Sequence, residues 1–252
     1  MAKQWHQLER LDHKALKKLQ LEREKAAKLA EQQALRNKSI AVGAVILFII
    51  IGAIVLGIVL KKRADARELE AKREECLYSN VAEFLGTVDY RRRGDWTPLT
   101  KNLKFKEDYS FKTSEESSLT VQLQKENQIK LYSSSEVLIT PPILENIGTT
   151  IKKQNIELIR GELTSAISID GRGLLFIQVS NITIVGQSGL FKVIYNDETD
   201  KGEVVVKNGL VEVNLNNSTE KPTKISGFYK VSFEKGELSN PTQASVIQYD
   251  WQ

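Results

Sequence analysis

Cysteine is almost missing from this chain of 252 residues, with Cys76 its single thiol. One thiol excludes a framework of intrachain disulfides and any zinc or iron–sulfur site built on clustered cysteines. Histidine is nearly as scarce. His6 and His13 are the two imidazoles, so residues 61–252 contain none, which removes Ser-His-Asp, Cys-His and histidine–metal chemistry from that region. His6 and His13 themselves lie two helical turns apart without a third ligand, and read as surface residues. Nucleotide-cradling glycine loops are also lacking. GQSGL at 186–190 has Leu190 where a G-x-S-x-G elbow needs its last glycine. Ser218 and Lys221 have S-x-x-K spacing but sit in a turn-like stretch ending at Pro222. No enzymatic activity and no cofactor are expected.

What is present begins with a long uncharged run. Residues 40–60, IAVGAVILFIIIGAIVLGIVL, carry neither charge nor polar side chain. As a helix, 21 residues reach about 31 Å, the thickness of a bilayer's hydrocarbon core. A soluble helix needs one polar face and this run has none. A single transmembrane helix is therefore expected over 39–60. The long N-terminal lead and the absence of a small-residue cleavage site argue against a removable signal peptide. Lys and Arg near the span number five before it and six after it, so charge counting leaves its orientation open. Ser39/Gly43 and Ala53/Gly57 are small-residue pairs four apart, a spacing that lets two membrane helices approach.

Charge is concentrated before the span. Residues 1–38 hold ten Lys/Arg against five Asp/Glu, more than the whole chain's net charge of +4. Residues 6–37 have no Gly or Pro and consist largely of strong helix formers. Leu8, Leu11, Ala15 and Leu19 form an apolar stripe near Trp5, too short for a sustained coiled coil. Trp5, Leu8 and Leu11 suit docking on a partner or on anionic lipid, and a bare solvated helix remains the alternative. The pattern of a DNA-binding helix pair is not there, so no nucleic acid partner is expected. After the span, residues 61–85 again lack Gly and Pro and read as a juxtamembrane helix. Cys76 falls near its end, where a thiol in an oxidising compartment could bridge two chains.

From residue 86 the apolar period becomes two. Alternating segments occur at 118–124, 127–132, 136–139, 155–159, 161–169, 174–185, 190–195, 202–207, 210–215, 228–233 and 244–249. Gly, Asn, Asp, Ser and Pro separate them, with tight turns expected at DGRG 170–173, KGE 201–203 and NG 208–209. An all-β domain over 86–252 follows, a sandwich or solenoid-like stack of antiparallel strands. Arg91, Arg92 and Arg93 precede Gly94-Asp95 as a turn patch able to touch lipid headgroups, glycan or an acidic partner, or merely to tip a hairpin.

These residues, in order, resemble a FecR domain. The front half shows in Gly86, Val88, Trp96, Leu99, Thr113, Ser117, Ile129, Leu131, Ser135 and Val137. The second half shows in IELIRGEL at 156–163, VGQSGLFKV at 185–193 and EVVVKNGLVEV at 203–213, the last similar to the family's hairpin. The resemblance implies a single-pass inner-membrane protein of a bacterium, N-terminus in the cytoplasm and β-domain in the periplasm. It departs from siderophore sensors in the bare N-terminal helix and in having no room after the β-domain for a transporter-binding lobe. The resulting expectation is a non-enzymatic interaction protein that binds a protein or cell-wall partner outside the membrane. Its N-terminal helix is then free to engage a cytoplasmic regulator or a second copy. A scaffold subunit of a larger envelope assembly is the alternative.

Overall fold

An uninterrupted supply of helix formers, followed by an apolar run that tolerates no exposed backbone, produces one helix, α1 (Ala2–Glu75). The computed structural model describes residues 2–124, 126–145, 151–168, 174–216, 221–245 and 248; for 2–17, 19–20, 26, 30, 34–35, 38–45 and 174 it describes the backbone alone. The chain divides into two units, Met1–Ala66 and Arg67–Gln252. The first is helical throughout its described length.

Lys72 and Arg73 complement the negative end of α1. The helix then tightens, with Leu77 N donating to Glu74 O at 3.1 Å and Tyr78 N to Glu75 O at 3.2 Å. The helix expected over 61–85 therefore stops ten residues early. Ser79–Leu85 is strand β1, and Val81 is buried within it. Tertiary pairing overrides local propensity here, because β1 fills a gap between two other strands and completes their ladders.

The strands that follow are β2 (Val88–Arg91), β3 (Thr97–Pro98), β4 (Lys104–Phe105), β5 (Tyr109–Thr113), β6 (Ser118–Gln122), β7 (Gln128–Leu131), β8 (Glu136–Ile139) and β9 (Ile143–Leu144). Three long ones come next in part, β10 (Ile151–Ile167), β12 (Ile182–Asn196) and β13 (Lys201–Leu215), with β11 (Leu174–Val179) between the first two. Short strands β14 (Thr223–Ser226), β15 (Tyr229–Glu234), β16 (Glu237–Leu238) and β17 (Thr242–Gln243) finish the described fold.

Pairing is continuous through all of them, yet it falls into two layers. The first layer runs β3-β2-β5-β8, the front half of β10, β11, the front half of β12, the back half of β13, and β14. The second runs β4-β1-β6-β7, the back halves of β10 and β12, the front half of β13, and β15 with β16 and β17 on its outer edge. Each long strand thus belongs to both layers and bends between them. Phe111, Val137, Ile156, Ile177 and Val211 of one layer share a single core with Leu119, Ile129, Leu163, Phe191 and Val231 of the other. The result is a sandwich.

The bends have a signature in burial. In β10 the core residues are Ile156 and Leu158 before the bend and Leu163 and Ile167 after it. In β12 they change from Ile182 and Ile184 to Phe191 and Val193, and in β13 from Val204 and Val206 to Val211 and Val213. Even positions give way to odd ones each time. One extra residue at a bulge flips the face, which keeps the apolar side inward as the strand changes layer. Register shifts at Leu158/Arg160, Gly186/Ser188 and Leu190/Phe191 mark the places.

Two corners are involved, at opposite ends of the sandwich. Gly161 forms the first. It lies at φ +94°, and a side chain there would strike Ser135, its Cα included. Ser135 Oγ accepts from Glu162 N at 2.8 Å and lies 3.1 Å from Glu162 O, to which it can donate. Thr113 Oγ1 accepts from Ser135 N at 2.9 Å and donates to Tyr132 O at 2.5 Å. Ser117 Oγ accepts from Thr87 N at 2.9 Å. Thr113, Ser117 and Ser135 are buried. These hydroxyls replace ladder partners where backbone pairing breaks.

The second corner joins Gly189 and Gly209, which face one another in the β12/β13 register at φ +101° and +90°. The Asn208-Gly209 step is accordingly a bend within β13, correcting the expected hairpin turn. Both demand positive φ at glycine, so the dipeptide does not distinguish them. Further corrections concern the remaining turns and the last strand. The turn before β13 is at 197–200, ahead of KGE, and 170–173 lies outside the described residues. Ala244 and Ser245 are not strand, and Gln248 is helical, where an alternating strand was expected. The stack is also not wholly antiparallel. Residues 153–157 of β10 pair parallel with 174–178 of β11, after the back half of β10 has passed through the other layer.

Gly161→Ala should lower stability by about 2–3 kcal/mol or more from strain and overlap, and Ser135→Ala by about 1–3 kcal/mol from unpaired backbone groups. Urea unfolding of the two variants measures both. Ser135→Gly should fail to rescue Gly161→Ala, because the Ser135 Cα itself occupies the space.

Candidate functional site

In the first unit, every side chain from Ile46 to Leu60 is exposed. Phe48 reaches 76% and Ile49 65%. At 3.6 residues per turn, fifteen successive positions point in all directions around the axis, so no face is hidden or polar. Ala53 and Gly57 belong to this belt, and a Cβ added at Gly57 would meet nothing within 4 Å. Among the described residues no helix is long and apolar enough to cross a membrane. The belt covers about 22 Å of helix, and the side chains of 40–45, which continue the apolar run in the sequence, lie outside the description. So do those of Trp5, Leu8, Leu11, His6 and His13, and the pair Ser39/Gly43.

In the second unit, the end of α1 is tied to the strands that follow. Lys106 Nζ meets Glu74 Oε1 at 2.7 Å. Tyr78 receives two ammonium groups on its ring, Lys104 at 4.4 Å and Lys106 at 5.2 Å from the centroid. The hydrogen bond from Lys106, then its charge, holds the Glu74 carboxyl below the usual carboxylate range. The same contact raises the Lys106 ammonium above its ordinary value, with Tyr78 adding to it. Cys76, between Glu74 and Tyr78 in the chain, is half-buried and unbridged.

The three arginines fare differently from one another. Arg91 ends β2 and lays its guanidinium over the Trp96 ring, 4.5 Å from the centroid. Arg92 pairs with Glu107. Arg93 is exposed at the hairpin tip beside Gly94. The sequence presents them as one patch, and the end of β2 with the bend after it gives their side chains separate surroundings.

Register, unreadable from the sequence, assembles a surface on the outer face of the second layer. Lys192 Nζ reaches Glu162 Oε1 at 2.6 Å, with Lys192 only 14% exposed. Glu203 is a hub. Its Oε2 takes Lys230 Nζ at 2.8 Å, and its Oε1 takes Gln248 Nε2 at 2.9 Å. Beside Glu203 a groove of about 830 Å³ is lined by Ile194, Gly202, Phe233, Glu234 and Leu238. A second groove of about 670 Å³ opens at the Gly189/Gly209 corner, next to Glu126 and Leu190. Among the described residues no group of three or more His, Cys, Asp or Glu is placed to hold a metal ion. The arrangement offers paired charges beside grooves whose lining mixes charged, polar and apolar side chains.

No family model matches the sequence, and no curated protein matches it. Among solved structures, two crystal structures of a "putative anti-sigma factor" from Parabacteroides distasonis ATCC 8503 are similar to it. One is 15% identical and has a TM-score of 0.45, covering 55% of this chain and 61% of its own. The other is 14% identical with a TM-score of 0.43, covering 54% and 60%. The present chain thus matches about three fifths of the length of those structures.

Lys106→Met should return the Glu74 carboxyl to an ordinary titration, read by side-chain NMR. In the unaltered protein the Glu74 contribution is complete above the unfolded carboxylate range. It is lost as pH falls through the lowered folded value, so the two proteins should differ most in mildly acidic to neutral solution.

Proposed function

We propose that this is a single-pass, membrane-anchored interaction protein of the bacterial envelope, non-enzymatic and FecR-like. The observation that carries the reading is the belt of exposed apolar side chains from Ile46 to Leu60. In water such a belt leaves on the order of 10–20 kcal/mol of hydrophobic burial unrealised. Within hydrocarbon the same side chains are at home, and the full uncharged run from 40 to 60 matches the thickness. Lys61, Lys62 and Arg63 follow at once, where long cationic side chains reach headgroups while their stems stay apolar. The FecR-like order of Gly86, Thr113, Ser117 and Ser135 supports a periplasmic β-domain with the N-terminus in the cytoplasm. On this reading the sandwich binds an envelope protein or cell-wall partner, and the charged helix of 1–38 carries the outcome to a cytoplasmic regulator.

Fractionation is the direct test. The full chain should stay with inner membranes through an alkaline carbonate wash, and a variant lacking residues 40–60 should not. In spheroplasts, added protease should digest the β-domain and spare residues 1–38. A β-domain protected until the cells are lysed would overturn the orientation. Removing residues 1–36 should silence a transcriptional response without altering localisation; an unchanged transcriptome would favour the scaffold subunit.

A further inference from the structure

Asn208 is the one asparagine in the sequence that glycine follows. Asparagine is a chemically labile residue. A glycine after it gives the least hindered setting for reaction, because the next amide nitrogen is unshielded by a side chain and the backbone turns freely. The second corner holds this pair in check. Asn208 lies opposite Leu190 and Gly209 opposite Gly189 in the β12/β13 register. Asn208 Oδ1 accepts from Leu190 N at 2.7 Å, so the carboxamide is tied across the ladder to β12. On the other side of β13, pairing with β15 ends at Val206 and pairing with β14 begins at Leu210. Among the described residues, β12 is therefore the one strand partner of 207–209. Asn208 and Gly209 are exposed, so water reaches both.

The geometry points to Asn208 as a deamidation site gated by the second corner. While β12 and β13 are paired, the carboxamide is fixed away from its own chain. Once they part, Gly209 N loses its proton to water and attacks Asn208 Cγ. The new N–Cγ bond closes a cyclic imide, and the carboxamide nitrogen leaves as ammonia. Water then opens the imide. Cleavage at Cγ gives aspartate at position 208. Cleavage at the backbone carbonyl gives isoaspartate, with the side-chain methylene now part of the main chain.

The corner treats the two products differently. Aspartate keeps an oxygen that accepts from Leu190 N. Isoaspartate lengthens the backbone where two chains already touch. A Cβ on Gly209 would lie 2.1 Å from Ser188 O and 2.8 Å from Gly189 Cα, and one on Gly189 2.2 Å from Asn208 O. No space is left there for an added methylene, which would also displace the register on one side of the corner. The aspartyl chain closes again and the isoaspartyl chain does not, so openings of the corner leave an irreversible record. Nothing in this depends on α1 lying in a membrane.

The test follows the 208–209 linkage in the full chain, in detergent at neutral pH across a series of urea concentrations. Mass spectrometry that separates aspartate from isoaspartate reads the products. Deamidation at Asn208 should be at least about tenfold slower in the folded chain than in the unfolded one, and between these limits should follow the open fraction. Equal rates in folded and unfolded chains would overturn the gate. Chains aged below the unfolding transition are then split by brief protease treatment. Isoaspartate at 208 should be at least about fivefold depleted from the resistant fraction, and aspartate should not. Asn208→Asp, made directly, should fold and unfold at nearly the same urea concentration as the unaltered chain. Isoaspartate spread evenly between the two fractions, or an Asn208→Asp chain unable to fold, would overturn the discrimination between products.

Discussion

A β-strand that turns from one layer into another must break its ladder, and the broken ladder leaves backbone groups inside the protein without partners. An unpaired buried group costs about 1–3 kcal/mol, and this domain breaks its pairing at the first corner in strand after strand. The solution is local and repeated. Ser117, Thr113 and Ser135 put hydroxyls where a neighbouring strand's amide or carbonyl would have been. A glycine leaves room for Ser135 to come that close. Gly161, Thr113, Ser117 and Ser135 are therefore the residues that make the bend possible. Their chemistry is that of hydrogen-bond replacement and close approach.

The layers were largely legible in advance because burial on one face imposes alternation. Segments such as 118–124, 127–132 and 228–233 needed only their own sequence to be read as strands. What failed was everything that depends on a partner. Residues 77–85 contain good helix formers and apolar residues at helical spacing, and 79–85 become strand because β4 and β6 need a neighbour. Asn208-Gly209 satisfies a hairpin and a bend equally well. The change from even to odd core positions is present in the sequence at Val206 and Val211, but it reads as the start of a new strand unless the opposing register is known.

The candidate surfaces divide in the same way. The apolar belt of α1 is visible at once, since twenty-one residues without charge need no partner to be noticed. The Glu203 hub and the Lys192–Glu162 pair are invisible, because Glu203, Lys230 and Gln248 are far apart in the chain and meet only through pairing. The arginine cluster shows the converse. Three consecutive charges look like one feature, yet the strand ends at Arg91 and the chain bends after it, and Trp96 and Glu107 engage two of them.

Three long strands serving both layers also govern how the domain comes apart. Neither sheet owns β10, β12 or β13, so peeling one layer away strips partners from the other. A piece of the chain ending between 151 and 215 would strand half of a shared ribbon beside an open edge. The sandwich is in this sense indivisible: heat, pull or proteolysis meets an all-or-none object, and a half-melted form with one intact sheet has no stable arrangement to occupy.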